Sequence, residues 1–333
     1  MDEWLRSNLV CPRDKQKLQT KADTLVCETG HIYPVVNEIP IMLVEEEEHI
    51  HGYITQTLED VAAKRPIESG NGNAAESSGF TVDPFVQAEI PYTSGNLYFP
   101  LVNNLSRYPI PFIRLPDGKG ERLLDVGCNW GRWSIAAAQK GYRPVGLDPS
   151  LKAILAARRI ALQLGLDAQF IVGDSRFLPF ESGCFDIGFS FGVFQHFSKA
   201  NAKVSLHEVG RVVKHGGEIL MQMPNKFGIR SFYHQARRGF REGEGLEPRY
   251  WTPSELTAFF RETFGKTEMT TDCYFGLGIQ KSDLDLLPFH FKMVVRSSEF
   301  LRTLSHSFPL LVKVADSVYL RSVNQNNNQG IQV

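Results

Sequence analysis

Leu123-Leu124-Asp125-Val126-Gly127-Cys128-Asn129-Trp130-Gly131 reads as a buried strand that runs into a glycine-bearing turn and then a helix starting near Arg132. Glycines at 127 and 131 let the backbone approach a ligand where a Cβ would stand in the way. The free N–H groups at the start of the following helix point at whatever binds there. A carboxylate at Asp125 would repel a pyrophosphate. It suits a ligand carrying ammonium and sulfonium charge, the pattern of S-adenosylmethionine rather than of a dinucleotide.

The chain on either side repeats the theme. Arg143 to Asp148 reads as a second strand, and its terminal acid lies 21 positions after Gly127, the spacing at which a carboxylate meets ribose hydroxyls. Gln169 to Asp174 reads as a third strand ending in an acid, an acceptor suited to an adenine amino group. Phe185 to Ser190 reads as a fourth, opening onto Phe191-Gly192-Val193-Phe194-Gln195-His196-Phe197, and Glu218 to Met223 as a fifth. Helices are expected over 133–140, ended by Gly141, over 151–164, capped by Ser150 and ended by Gly165, and over 199–214. Strands and helices in alternation give a parallel sheet covered on both faces, with ligand at the carboxyl ends of the strands.

Residues 121–224 resemble the core of class I S-adenosylmethionine-dependent methyltransferases. The family's first motif, acid-x-Gly-x-Gly-x-Gly, stands here as Asp125-Val126-Gly127-Cys128-Asn129-Trp130-Gly131, with Asn129 in place of the middle glycine. The run Gly173 to Phe180, followed by Cys184-Phe185-Asp186, resembles the family's third-strand motif. A Rossmann domain of another nucleotide-binding class is the alternative. The resemblance implies a seven-stranded Rossmann-like α/β sheet, mostly parallel with the last strand antiparallel; the sixth strand falls over 266–274 and the seventh over 317–323. It implies S-adenosylmethionine as cofactor, held by Asp125, Gly127, Cys128, Asn129, Gly131, Asp148, Pro149, Asp174, Ser175 and Phe191. His196, after the fourth strand, is the candidate base, with a purely loop-ordering role as the plainer reading. The expected reaction is methyl transfer to a small-molecule or lipid-like acceptor, through oxygen. The other readings are an RNA or protein methyltransferase and a cofactor-binding but inert scaffold subunit.

Residues 1–48 resemble a short zinc-ribbon-like module that occurs as a separate activator of methyltransferases and also fused to them. The metal-binding form has two Cys-x-x-Cys pairs; here Asp14 and Gly30 replace the second cysteine of each, leaving Cys11 and Cys27. Cys11, Cys27, His31 and Asp14 could make an irregular set, but two lost thiolates favour a ribbon without zinc, packed on Ile32, Tyr33, Val35, Ile39, Ile41 and Leu43. Residues 49–81 read as an acidic, flexible linker, and 82–333 as the catalytic domain. Within that domain 225–251, with Arg230, His234, Arg237 and Arg238, reads as a substrate cap suited to an anionic group, or as an ordinary solvated helix. The apolar runs of 276–316 could line a pocket, form a homodimer face or lie on a membrane; burial in the domain is favoured. The tail Asn324 to Gln329 reads as frayed.

Composition sets outer limits. The 333 residues are 42% hydrophobic with a formal net charge of −1, which does not favour bulk nucleic-acid binding. No signal-peptide pattern opens the chain and no run reaches the ~18 apolar residues of a membrane span. Five cysteines, an odd number, suit a reducing compartment. The expected location is the cytoplasm.

Overall fold

The computed structural model describes residues 1–45, 52–63, 81–276 and 280–325. The strands are β1 (Leu18–Lys21), β2 (Thr24–Cys27), β3 (Ile32–Val36), β4 (Ile39–Met42), β5 (Arg122–Val126), β6 (Arg143–Asp148), β7 (Gln169–Gly173), β8 (Phe185–Ser190), β9 (Val213–Pro224), β10 (Thr267–Cys273) and β11 (Ser317–Val323). They form one sheet of order β1-β2-β3-β4-β7-β6-β5-β8-β9-β11-β10. Every pair from β4 to β9 is parallel. β11 enters antiparallel between β9 and β10. The helices are α1 (Glu3–Asn8), α2 (Gly52–Ala62), α3 (Pro84–Ser94), α4 (Arg132–Gln139), α5 (Leu151–Gln163), α6 (Lys199–Val212), α7 (Ile229–Arg237), α8 (Pro253–Phe264) and α9 (Phe289–Ser305).

The central strands are apolar on both faces because both are covered. Leu123, Phe189 and Leu220 pack with Trp133 of α4 on one face. Leu124, Val126 and Ile219 pack with Leu206 of α6 and Phe260 of α8 on the other. The chain adds strands outward from β5 to β6 to β7, then places β8 on the opposite side of β5. That reversal opens a crevice at the carboxyl ends of β5 and β8.

The sheet has eleven strands rather than the seven expected, because the N-terminal strands extend it. Ile41 and Met42 of β4 pair with Val172 and Gly173 of β7. All four residues of β4 are buried, and such a two-faced apolar strand is stable only inside a sheet. Leu5, Leu9, Cys11, Tyr33 and Met42 share one core cluster with Leu124, Val145 and Phe180, so the N-terminal segment is built into the domain instead of standing beside it. Ile32, expected inside, is 62% exposed, while Tyr33 takes the inward position.

Other expectations also shift. Part of the supposed linker is helix α2, whose Thr57 hydroxyl donates to Pro149 O at 2.8 Å and accepts from Leu151 N at 3.1 Å. Glu46–Glu48 and 67–80 lie outside the described residues, as do 326–329. Asn324, expected to fray, is buried, and its amide donates to Gly210 O at 2.8 Å and Val213 O at 2.7 Å. The 276–316 segment is only partly buried: Leu287 and Val295 face inward, but Phe289, Met293, Phe308 and Leu310 are exposed. No helix of the described residues is long and apolar enough to cross a membrane.

One buried ion pair fixes this segment to the start of α4. Arg132 Nη2 stands 2.6 Å from Asp283 Oδ2 with both side chains buried, and the Tyr98 hydroxyl donates to the same oxygen. Removing one partner strands the other charge in the core. Asp283→Ala is expected to lower unfolding free energy by about 3–5 kcal/mol, measured by urea denaturation. An Arg132→Met/Asp283→Leu double variant should recover most of that loss.

Candidate active site

Three of the residues after β5 lie at positive φ: Gly127 at 74°, Asn129 at 47° and Gly131 at 79°. A Cβ at Gly127 would also collide with Val193. Asparagine is among the few side chains that tolerate the left-handed region, which explains how Asn129 fills the middle position. Its Oδ1 accepts from Trp130 N at 2.8 Å and holds the turn in that shape.

Asp148 ends β6 beside this turn. Its Oδ2 accepts from Asn129 N at 3.0 Å and its Oδ1 from Ser150 N at 2.9 Å. Each oxygen keeps a lone pair for a ligand hydroxyl. Burial pushes the carboxyl up to about 6, against the pull of those two N–H donors.

A cavity of about 800 Å³ opens over the turn. Gly127, Asn129, Asp148, Pro149, Asp174, Ser175, Phe191 and His196 line it; Asp125, Cys128 and Gly131 do not. Asp125 faces α4, where it accepts from the Ser134 hydroxyl at 2.7 Å. Asp174, expected to be free for a ligand donor, is held by Arg176, whose Nη2 lies 2.7 Å and Nε 3.0 Å from Oδ2. The Ser175 hydroxyl donates to Ser205 Oγ at 3.0 Å. Phe191 packs against Trp133 with centroids 4.4 Å apart. Since β6 and β5 separate β7 from β8, Phe191 and Asp174 spring from strands roughly 14 Å apart, opposite ends of the cavity.

The loop after β8 is clasped by the cap. His196 Nδ1 donates to Leu246 O at 2.6 Å, which leaves Nε2 as acceptor for the Gln195 side-chain N–H at 3.1 Å. Arg249 returns two bonds, N to Gln195 O at 2.7 Å and Nη1 to His196 O at 2.7 Å. Burial lowers the His196 pKa, and the nearby Arg249 charge adds to this, while the hydrogen bond to Leu246 O opposes it. The imidazole is neutral at pH 7 and its basic nitrogen is covered by Gln195. Thr57, Gln195 and Arg249 had no motif to announce them; the spacing of Ile54, Thr57, Leu58 and Val61 was the one available signal for α2.

A second cavity of about 510 Å³ shares Gly95 and Asn96 with the first. Arg230, His234, Arg237 and Arg238 line it. Among the described residues, no carboxylate lies within 4 Å of these three guanidinium groups. Arg238 lies over the Tyr250 ring at 5.3 Å, and its Nε is buried without a partner. Burial and the Arg230 and Arg237 charges lower the His234 pKa.

Residues 123–217 match the family model of a methyltransferase domain. Over this part the chain is similar to methyltransferase domains. An uncharacterized methyltransferase of Synechocystis is 31% identical over 33% of this chain and 50% of its own length. A ubiquinone biosynthesis O-methyltransferase of Azorhizobium caulinodans is 27% identical over 42% of this chain and 56% of its own length. The chain thus spans about half the length of these relatives. Among solved structures, a Haemonchus contortus phosphoethanolamine N-methyltransferase 2 in complex with S-adenosyl-L-methionine has TM-score 0.46 and 14% identity, over 75% of this chain and 61% of that one.

The buried acid of the methyltransferase domain's first motif has a consequence for stability. Burial pushes the Asp125 carboxyl up to about 7, against about 3.9 in an unfolded chain. The folded state holds the proton more tightly, a stabilising difference present below about pH 4 and lost as pH rises through about 7. Asp125→Asn should therefore gain urea midpoint relative to wild type between pH 4 and pH 7, with a constant difference above; a gap that does not change with pH would contradict this.

Proposed function

We propose that the protein transfers the methyl group of S-adenosylmethionine to a small-molecule or lipid-like acceptor bearing an anionic group, through an acceptor oxygen. The observation that carries the reading is Asp148, fixed by Asn129 N and Ser150 N beside the positive-φ turn at the strand-order reversal. Its two oxygens suit paired ribose hydroxyls, and the glycine turn that lines the same cavity leaves its backbone open to a ligand.

When bound, the cofactor supplies an electrophilic methyl group. The chain's own residues do the rest. Gly127, Asn129 and Asp148 hold the nucleoside, with Pro149, Asp174 and Ser175 at its adenine end. Asp125, Cys128 and Gly131 act from behind, fixing the turn against α4. Phe191, with Trp133 behind it, stands at the other end, where the acceptor enters. Positioning of this kind can lower a displacement barrier by about 7–11 kcal/mol. His196 takes the acceptor's proton at Nε2 once the Gln195 amide turns aside. Arg230, Arg237 and Arg238 bind the acceptor's anionic group in the adjoining cavity. We read 1–48 as a brace for the sheet edge, 49–81 as the connection that carries α2 over the cavity, and 82–333 as the catalytic part. Five free cysteines fit a reducing cytoplasm.

Calorimetric titration with S-adenosylhomocysteine tests the cofactor site. Affinity should rise as pH rises through about 6, because hydroxyl donors favour the ionised Asp148. Asp148→Ala should bind about 10- to 150-fold more weakly, a loss of roughly 1.5–3 kcal/mol, and lose the pH dependence. Absence of binding at any pH would dismiss the reading. Labelled methyl transfer, screened over phosphorylated, carboxylated and neutral hydroxyl compounds, tests the acceptor. His196→Ala should then lose about 10²–10⁴-fold in turnover with cofactor affinity unchanged.

A further inference from the structure

Cys11 and Asp14 lie on the loop before β1; Cys27 ends β2 and His31 lies on the loop before β3. One donor atom from each lies within 4.8 Å of the other three. His31 Nδ1 stands 3.4 Å from Cys11 Sγ, 3.4 Å from Cys27 Sγ and 3.2 Å from Asp14 Oδ2. Asp14 Oδ2 is 3.8 Å from Cys27 Sγ. A tetrahedral zinc with ~2.3 Å bonds to sulfur and ~2.0–2.1 Å bonds to nitrogen or oxygen sets donor–donor edges of roughly 3.3–3.8 Å. The measured separations fall on or beside those edges.

We propose that Cys11, Asp14, Cys27 and His31 form a zinc site. The expectation of a metal-free ribbon rested on two missing thiolates. Folding replaces them: Asp14 occupies one vacated corner, and His31, one residue beyond Gly30, reaches back to the other. Thiolate, imidazole and carboxylate together are a donor set that zinc accepts. The Tyr33 hydroxyl is 3.1 Å from Cys11 Sγ, where it can donate to a charged sulfur, and itself accepts from Arg13 Nη1 at 2.9 Å. The Thr29 hydroxyl donates to Asp14 Oδ2 and stands 2.9 Å from Cys27 Sγ and 3.2 Å from His31 Nδ1. Four protein ligands leave no open position, so the site is structural. It would secure a loop that already holds the segment after β7, where Val10 N donates to Pro179 O at 3.0 Å, and helix α6, where Lys15 Nζ pairs with Glu208 at 2.9 Å.

The test is elemental analysis of the full chain, purified with reductant and without chelator, followed by cobalt(II) reconstitution of stripped protein. About one zinc per chain is expected, and cobalt should give the visible absorption of tetrahedral thiolate coordination. Cys27→Ser should weaken the sulfur-to-cobalt band, because Cys11 alone then supplies thiolate. Because that buried change could unfold the loop, the less buried His31→Ala and Asp14→Ala are measured beside it, with circular dichroism as the folding check. Each should retain the fold and bind zinc about 10-fold or more weakly. A wild-type chain that carries no zinc and takes up no cobalt would overturn the proposal. So would zinc content and affinity unchanged in a folded His31→Ala/Asp14→Ala double variant.

Discussion

An acid at the end of β6 is held in place by the backbone of the turn that follows β5. Asn129 N reaches Asp148 only because Gly127, Asn129 and Gly131 all accept positive φ, and the turn keeps that shape because Asn129 Oδ1 caps Trp130 N. The carboxylate and the glycine turn are one unit, built from residues nineteen positions apart that the parallel β5–β6 pairing brings together. Everything that approaches the crevice is arranged around it: α2 docks on Pro149 and Leu151 on one side, and the loop after β8 with its cap closes the other.

The site divides by strand position. The β6 and β7 ends carry the acids and lie beside the N-terminal strands, while the β8 end carries Phe191, Gln195 and His196 and lies under the cap. Electrostatics follow the same division. Asp148 is a buried carboxyl on the first side, with its pKa raised to about 6; a cationic ligand relieves part of that cost. Beyond the second side stand Arg230, Arg237 and Arg238 around a cavity of their own. A cation is favoured at one end and an anion at the other, so an acceptor with a charged group would be oriented before any chemistry.

Much of this was legible in the sequence because its signals are local. Glycines at turn positions, an acid at each strand end and the Ser150 cap specify β5 to β8 and the helices between them. The antiparallel β11 was placed over Ser317 to Val323 by what the family resemblance implies, and the structure has it there. What the sequence hid is long-range. Nothing near Ile41 announces its pairing with Val172, so the N-terminal strands looked like a separate ribbon. Asp125 looked like a ligand contact, although strand alternation places it with Leu123 on the α4 face. The partner of Asp174 is only two residues away, at Arg176, yet an acid read as a ligand group in a motif was not read as half of an ion pair. His31 was legible as one member of an irregular ligand set, but only the fold shows its ring standing 3.4 Å from both sulfurs.

On the proposed function, the Gly127 turn and Asp148 hold a nucleoside at the crevice between β5 and β8. A crystal structure of the chain with S-adenosylhomocysteine tests it most directly. Ligand density is expected over Gly127 to Asn129 with both ribose hydroxyls on Asp148. Density elsewhere, or a ribose that leaves Asp148 bonded only to Asn129 N and Ser150 N, would contradict it.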